Sequence, residues 1–531
     1  MTMSGLVLFL IAVVPIVWLF LAFCVFRLPG HIACPGGLAF AAALAFFSLG
    51  MKPAGLATAA LEGALFALWP ILLVVVAAMI LYKYSVETGG MEKIKSLLTG
   101  ISRDKRILVL ILAWGFGGFL EGIAGFGVPV MIPGSILVAL GFSPMFSVVA
   151  CLIANSAPTP FASVGIPLFT LSGVTGLDAG ELGFNVAVQL FIPCIVMPFF
   201  LVMLTGGGFR AIRGVGRITL VAGLSFGLPL VLVSRFMGPE LPTLLGSVCA
   251  IVCTAAASKR FYRDDAYNKQ FQLDVSGGAG TPGALPAPGA VAFPGAASMS
   301  AVQACLPFGL VLVLVGVTSL IGPIHDALSH IKLDVVVYSG EGGHTLDFSF
   351  LLAPGILILL STLIACFIQG RRLSEFFRIA GTTACESRKT AVTIITIVAM
   401  AKIMDYSGMT NAIAIMLIAV FASFYPLIAP VIGMLGTFIT GSDTTCSVLF
   451  GSLQVGAAHA IGANPAWIAS SNLSAAAAGK MISPQSVAIG LRIGGLDGRE
   501  GEIIRQTLKY ALICTAIISL ITFGRILLFN G

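Results

Sequence analysis

Glu121, Asp443 and Lys480 stand inside long apolar runs of this 531-residue chain, where water-seeking groups are out of place. A charge at the centre of a bilayer is expensive unless it is paired or hydrated, so such residues mark ion or substrate paths by default. Glu121 sits in GFGGFLEGIAGFGVP (115–129). The glycines let the backbone turn and bare its amide N–H groups, and the following helix aims its positive end at the same point, which suits a carboxylate. Gly122, Gly125, Phe126 and Gly127 are therefore candidate contacts for a bound anion, and Glu121 a candidate proton carrier. The competing reading of Glu121 is a snorkelling or internally satisfied structural residue.

Asp443 lies in TFITGSDTTCSVLFGSLQ (437–454), flanked by Ser442 and Thr444. It is a second candidate proton carrier with two candidate substrate ligands beside it, although Gly-Ser-Asp-Thr also reads as an ordinary helix N-cap. Two further runs pair polar residues with helix breakers. LIANSAPTPFASVGIP (152–167) carries Asn155, Ser156 and Thr159 among three prolines, and ASSNLSAAAAGKMISPQ (469–485) carries Asn472, Lys480 and Pro484. Prolines interrupt a helix and free backbone groups to face a cavity. Asn155, Ser156, Asn472 and Lys480 are the resulting substrate candidates, Asn472 matching Asn155 in position. Lys480 either meets an anionic substrate or closes a structural salt bridge, with Asp443 as one partner. Lys402 and Asp405, three residues apart, are expected to neutralise each other. Lys83 is expected to snorkel, and His459 to be solvated.

Composition says what positions these groups. Hydrophobic residues make up 58% of the chain and charged ones 10%, against about 25% charged in soluble proteins. With a mean hydropathy of +1.05, the surrounding solvent is lipid. The net charge of +7 comes from short clusters between apolar runs, the pattern of membrane topology and not of nucleic-acid binding. The eleven cysteines lack metal-ligand spacing. No nucleotide-binding, metalloprotease or catalytic-triad motif appears in a credible context, so no enzyme activity, metal or cofactor is expected.

A span needs about 20 apolar residues. Twelve candidates lie near 4–27, 31–50, 61–85, 144–175, 181–204, 218–236, 241–257, 301–322, 347–369, 388–408, 465–490 and 506–528. The first is too long, and too poor in basic residues at its start, for a signal peptide. The runs 106–141 and 424–461 are too long for one helix and break near the middle, so they read as re-entrant hairpins. With both termini outside, the cytoplasmic segments hold every Lys and Arg except Lys52, Arg235, Lys332 and Arg525 and the intramembrane Lys83, Lys402 and Lys480. That satisfies the positive-inside rule.

The expected fold is thus an all-α polytopic membrane protein of about twelve spans and two hairpins. VAAMILYKYSVETGGM (76–91) is echoed in IVAMAKIMDYSGM (397–409), and GGFLEG (117–122) in GTFITG (436–441). An odd number of spans between the copies implies inverted-topology repeats. The organisation expected is N-terminal helices 1–60, a first repeat 61–257, a cytoplasmic Gly/Ala/Pro linker within 258–300, connecting helices 301–370 and a second repeat 371–531.

GFLEGIAGFGVPV (118–130), LIANSAPTPFASVGIP (152–167), TGSDTTCSVLFGSLQ (440–454) and GKMISPQSVAIG (479–490) closely resemble the signatures of the bacterial L-lactate permease family. The resemblance implies symport of L-lactate, D-lactate or glycolate with protons across the cytoplasmic membrane. It also implicates Glu121, Asn155, Asp443, Asn472 and Lys480 as the polar members of the matching motifs. Two departures bear on specificity: an extra proline within 156–161, and Ser447 where the family often has Asn. The rivals are a sodium-coupled carboxylate transporter, since Ser, Thr and Asn at unwound helices also suit Na⁺, and a passive organic-anion channel.

Overall fold

The computed structural model describes residues 5–529 except 27, 126, 274–298, 341–344, 492, 494, 495, 497 and 498. Among these, ten helices are long and apolar enough to cross a membrane. The pair Pro144–Ala154 and Thr159–Thr175, bent by 67°, makes an eleventh span. The architecture is all-α apart from one small β hairpin.

Two of the twelve expected spans take another form, and a third is a helix of the expected length that carries four charges. The run 347–369 opens as a strand, Thr345–Ser349, paired antiparallel with Lys332–Val336, and only Pro354–Ile368 is helical. Thr345–Ser349 alternates polar and apolar residues throughout and Lys332–Val336 does so up to its last residue, the strand period. Arg388–Tyr406 is a full-length helix but carries Arg388, Lys389, Lys402 and Asp405. The run 465–490 is two helices, Pro465–Lys480 and Pro484–Leu491. One helix, Met409–Phe421, lies where the sequence pattern suggested no element.

The order of elements recurs. Leu73–Glu87, Gly90–Thr99, a hairpin, a broken span and Ala179–Gly206 are followed later by Arg388–Tyr406, Met409–Phe421, a hairpin, a broken span and Glu500–Phe529.

Small residues set the packing around the first hairpin. Its first arm, Lys105–Ile123, is wholly buried. Gly115, Gly118 and Gly122 face Ile251, Ser247 and Leu244 of helix Pro242–Phe261, each closely enough that a methyl group would force a shift. Small residues on one face let two membrane helices approach this way. The root of the arm is tied by Arg106, which is fully buried. Its guanidinium meets Asp104 at 2.6 Å and donates to the carbonyls of Ala211 and Arg213 and to Asn268, while its plane lies 3.9 Å from the Phe271 ring.

The β hairpin is fastened to the helices beneath it. Tyr338 stacks on Tyr406 with ring centroids 3.7 Å apart, and Ser339 bonds to Thr58. Tyr406 in turn donates to Glu62, whose carboxylate pairs with Lys402 at 2.9 Å. Lys402 therefore pairs with Glu62 on helix Pro53–Phe66, a cross-helix partner that the sequence pattern did not suggest. Gly63 makes it possible by admitting the backbone of Ala399. Lys83, expected to snorkel, pairs with Glu386.

Candidate functional site

The first hairpin turns between helix Gly117–Ile123 and helix Val128–Ala139, with Gly125 and Gly127 at φ 55° and 87°. Only glycine adopts that backbone without strain. Glu121 lies on the last turn of the first arm, fully buried. Gly125 rests against Ser163 of the first broken span, and Gly127 against Ile489 of the helix that follows the second break. The tip of this hairpin is thus wedged between the two broken spans. Phe126 lies outside the described residues.

The first broken span ends its first half at Asn155, the C-cap of Pro144–Ala154. A short 3₁₀ turn, Thr159–Phe161, leads to Ser163, Val164 and Gly165, all left-handed, before the helix resumes. For Ser163 and Val164 that conformation is strained, as is common where function demands an unusual geometry. The second hairpin joins Tyr425–Thr440 to Asp443–Ala460 through Gly441 (φ 70°). The hydroxyl of Ser442 accepts from the amide of Thr445, so the N-cap reading holds for Ser442 and leaves Asp443 uncommitted. In the second broken span, Lys480 is the last residue before the break.

These pieces converge on one charge cluster. Lys480 Nζ lies 2.6 Å from Glu121 Oε1, linking the second broken span to the first hairpin. Asp443 is buried beside the same pair, with the hydroxyls of Thr159 and Thr437 near it but short of hydrogen-bond geometry. Buried polar atoms are normally paired. Here Glu121 Oε2, Asn155 Oδ1, Ser163 Oγ, Thr437 Oγ1, Ser447 Oγ and both oxygens of Asp443 have no hydrogen-bond partner. Two carboxylates, one ammonium and a set of spare hydroxyl and amide groups can bind a small anion and a proton together.

Other expected ligands are engaged elsewhere. Gly122 faces Leu244 and Thr243, and the Ser156 hydroxyl donates to the carbonyl of Ile153. Asn472 sits within an unbroken helix, accepting from Gln454, which also accepts from Tyr425. Its match to Asn155 therefore fails in geometry, and Lys480 takes the position at the break. Thr444 is half-buried on the first turn after the tip, and His459 is exposed. Thr437 and Ser163 join the site although sequence reasoning gave them no role, and Ser447, expected to bear on specificity, is buried with its hydroxyl unpartnered. Each stands within a polar block noted above, but only the fold turns them inward. Glu62, a lone acid in the apolar helix Pro53–Phe66, is the sequence signal for the second buried ion pair.

Gly433 and Gly479 fix the second hairpin against the second broken span. A methyl group at Gly433 would lie 2.0 Å from the carbonyl oxygen of Asn472, and one at Gly479 2.1 Å from that of Met434. The backbones touch directly, which places Lys480 beside Asp443.

The chain matches the L-lactate permease family over residues 8–529. It is 45% identical over 461 residues to an L-lactate permease of Streptococcus iniae, covering 87% of this chain and 93% of that one. It is 34% identical over 542 residues to the glycolate permease of Escherichia coli K12, covering 98% and 96%. Among solved structures it is similar to the YdaH transporter of Alcanivorax borkumensis, with a TM-score of 0.45 and 15% identity over 86% of this chain and 85% of that one. On the family match and on relatives aligned along nearly their whole length, this chain is a multi-pass membrane protein that belongs to the L-lactate permease family.

Proposed function

We propose that the chain is a symporter of lactate, glycolate or a similar 2-hydroxymonocarboxylate, coupled to protons and working by alternating access in the cytoplasmic membrane with both termini outside. The observation that carries this reading is the Glu121–Lys480 pair with Asp443 beside it. One ammonium facing two carboxylates leaves one negative charge over, and a single bound proton makes the buried site neutral. An incoming carboxylate draws Lys480 away from Glu121, and Glu121 then accepts a proton so that no bare charge is left in a low-dielectric interior. Each anion is thereby matched by one proton and crosses without net charge. Asn155, Ser163 and Thr437 supply hydrogen bonds to the carboxylate and 2-hydroxyl.

The test is uptake of labelled L-lactate into proteoliposomes with an inward proton gradient in sodium-free buffer. Accumulation that glycolate blocks and succinate does not is the expected result. A requirement for sodium, or blockage by succinate, overturns the reading.

A further inference from the structure

A cavity of about 1050 Å³ opens on the face that carries the β hairpin, far larger than a water-sized void and at the upper end of ligand-binding clefts. Its walls are apolar, with Phe66 and Trp69 on one side and Ile166 and Phe169 on the other. Its rim is polar, carrying Asp178, Glu240, His330, Lys332 and Asp334. Both walls come from interrupted helices. Trp69 has an extended backbone (φ −135°, ψ 115°) in the middle of its span, and Ile166 follows the left-handed residues Ser163 to Gly165. Non-helical backbone at membrane depth persists where it lines a cavity. Ile166 is also three residues from Ser163, which touches Gly125 beside Glu121. The end of the cavity lined by buried Ile166 is therefore about one turn of chain from the charge cluster.

Building on the transport reading above, we propose that this cavity is the passage through which a small carboxylic acid reaches the Glu121–Lys480 pair from the outer face, with Phe169 and Ser172 on its wall and Ile166 as the barrier at its base. The apolar wall suits the carbon skeleton of a small acid, and the pairing of Lys332 with Asp334 at 3.0 Å leaves the rim without a fixed trap for the anion.

The test uses the full chain in right-side-out and inside-out vesicles, with Ser172→Cys and Phe169→Cys as separate variants. The probe is a membrane-impermeant thiosulfonate bearing a sulfonate group. Among the described residues the exposed native cysteines, Cys305 and Cys385, flank the Lys/Arg-rich segments, so the parent chain reports the opposite face. Both variants should react in right-side-out vesicles and be protected by L-lactate. Uptake should then fall on the order of tenfold or more, because a fixed sulfonate fills the passage and repels a carboxylate. Reaction from the inside alone, or reaction without either protection or loss of uptake, overturns the proposal. Protected labelling in a protein that shows no proton-driven accumulation would sink the coupling reading and leave the passage standing. Two variants guard against one that fails to fold.

Discussion

Lys480 and Glu121, 359 positions apart in the chain, meet at 2.6 Å and are held there by two different broken elements. Removing one partner strands a buried charge, which costs about 3–5 kcal/mol. Lys480→Met should lower the thermal unfolding temperature sharply, and the double variant Lys480→Met/Glu121→Gln should recover most of the loss. Neither should accumulate lactate. Recovery of transport along with stability would show that the pair is only a fastener.

Glu121→Gln alone separates binding from coupling. Exchange of labelled for unlabelled lactate across the vesicle wall should survive, while accumulation driven by a proton gradient disappears. Normal accumulation would remove Glu121 as the proton carrier and move attention to Asp443→Asn.

Glu62 and Lys402 form a second buried pair, held by Tyr406. Glu62→Ala should destabilise by about 3–5 kcal/mol, as for any broken buried pair. Glu62→Gln keeps an acceptor for Tyr406 but still strands the charge of Lys402, so it should lose most of that and somewhat less than alanine does. Thermal unfolding in detergent reads both, and equal losses would mean that the hydrogen bond from Tyr406 contributes nothing beyond the charge.

Gly433→Ala places a methyl group 2.0 Å from a backbone oxygen that cannot rotate away. Overpacking of this kind costs about 1–3 kcal/mol, and here the shift also displaces Lys480 from Asp443. Transport should fall more than stability does. Wild-type uptake in the alanine variant would show that the seam has slack.

Glu240 lies between two membrane helices on the vestibule rim, and burial pushes its carboxyl up to about 7. A carboxyl that holds its proton more tightly when folded supports the fold below its unfolded value near 4.5, and that support is lost as pH rises through about 7. The rim also gains a negative charge over the same interval, which disfavours an arriving anion. KM for lactate should therefore rise between about pH 6 and 8, and Glu240→Gln should flatten that rise. An unchanged profile in the variant would assign the pH dependence elsewhere.

Much of the architecture was legible because lipid imposes a strong constraint: a backbone in hydrocarbon must satisfy itself, so long apolar runs become helices and their breaks mark a protected interior. Glu121, Asp443 and Lys480 stood out for that reason. Pairing was harder to read. Lys402 reaches Glu62 on another helix because Gly63 lets the two helices touch, a three-dimensional fact with no local signature. Arg106 reads as a loop charge that orients the chain, yet it is a buried hub that joins Asp104, two residues away, to three groups in segments more than 100 residues away. Asn472 matches Asn155 in sequence position but not in structure, because the alanines that follow it continue the helix where prolines follow Asn155 and end it.

The stack of Tyr338 on Tyr406, with Ser339 bonded to Thr58, pins the β hairpin to two helices that are themselves locked by a buried ion pair. The roof over the vestibule is then a fixed canopy and not a shutter. The chamber admits molecules by its own generous dimensions, and sorting falls to the single turn of backbone beneath it. A hydroxy acid too bulky for that turn would lodge in the antechamber without being carried, and would obstruct the protein from one side of the membrane only.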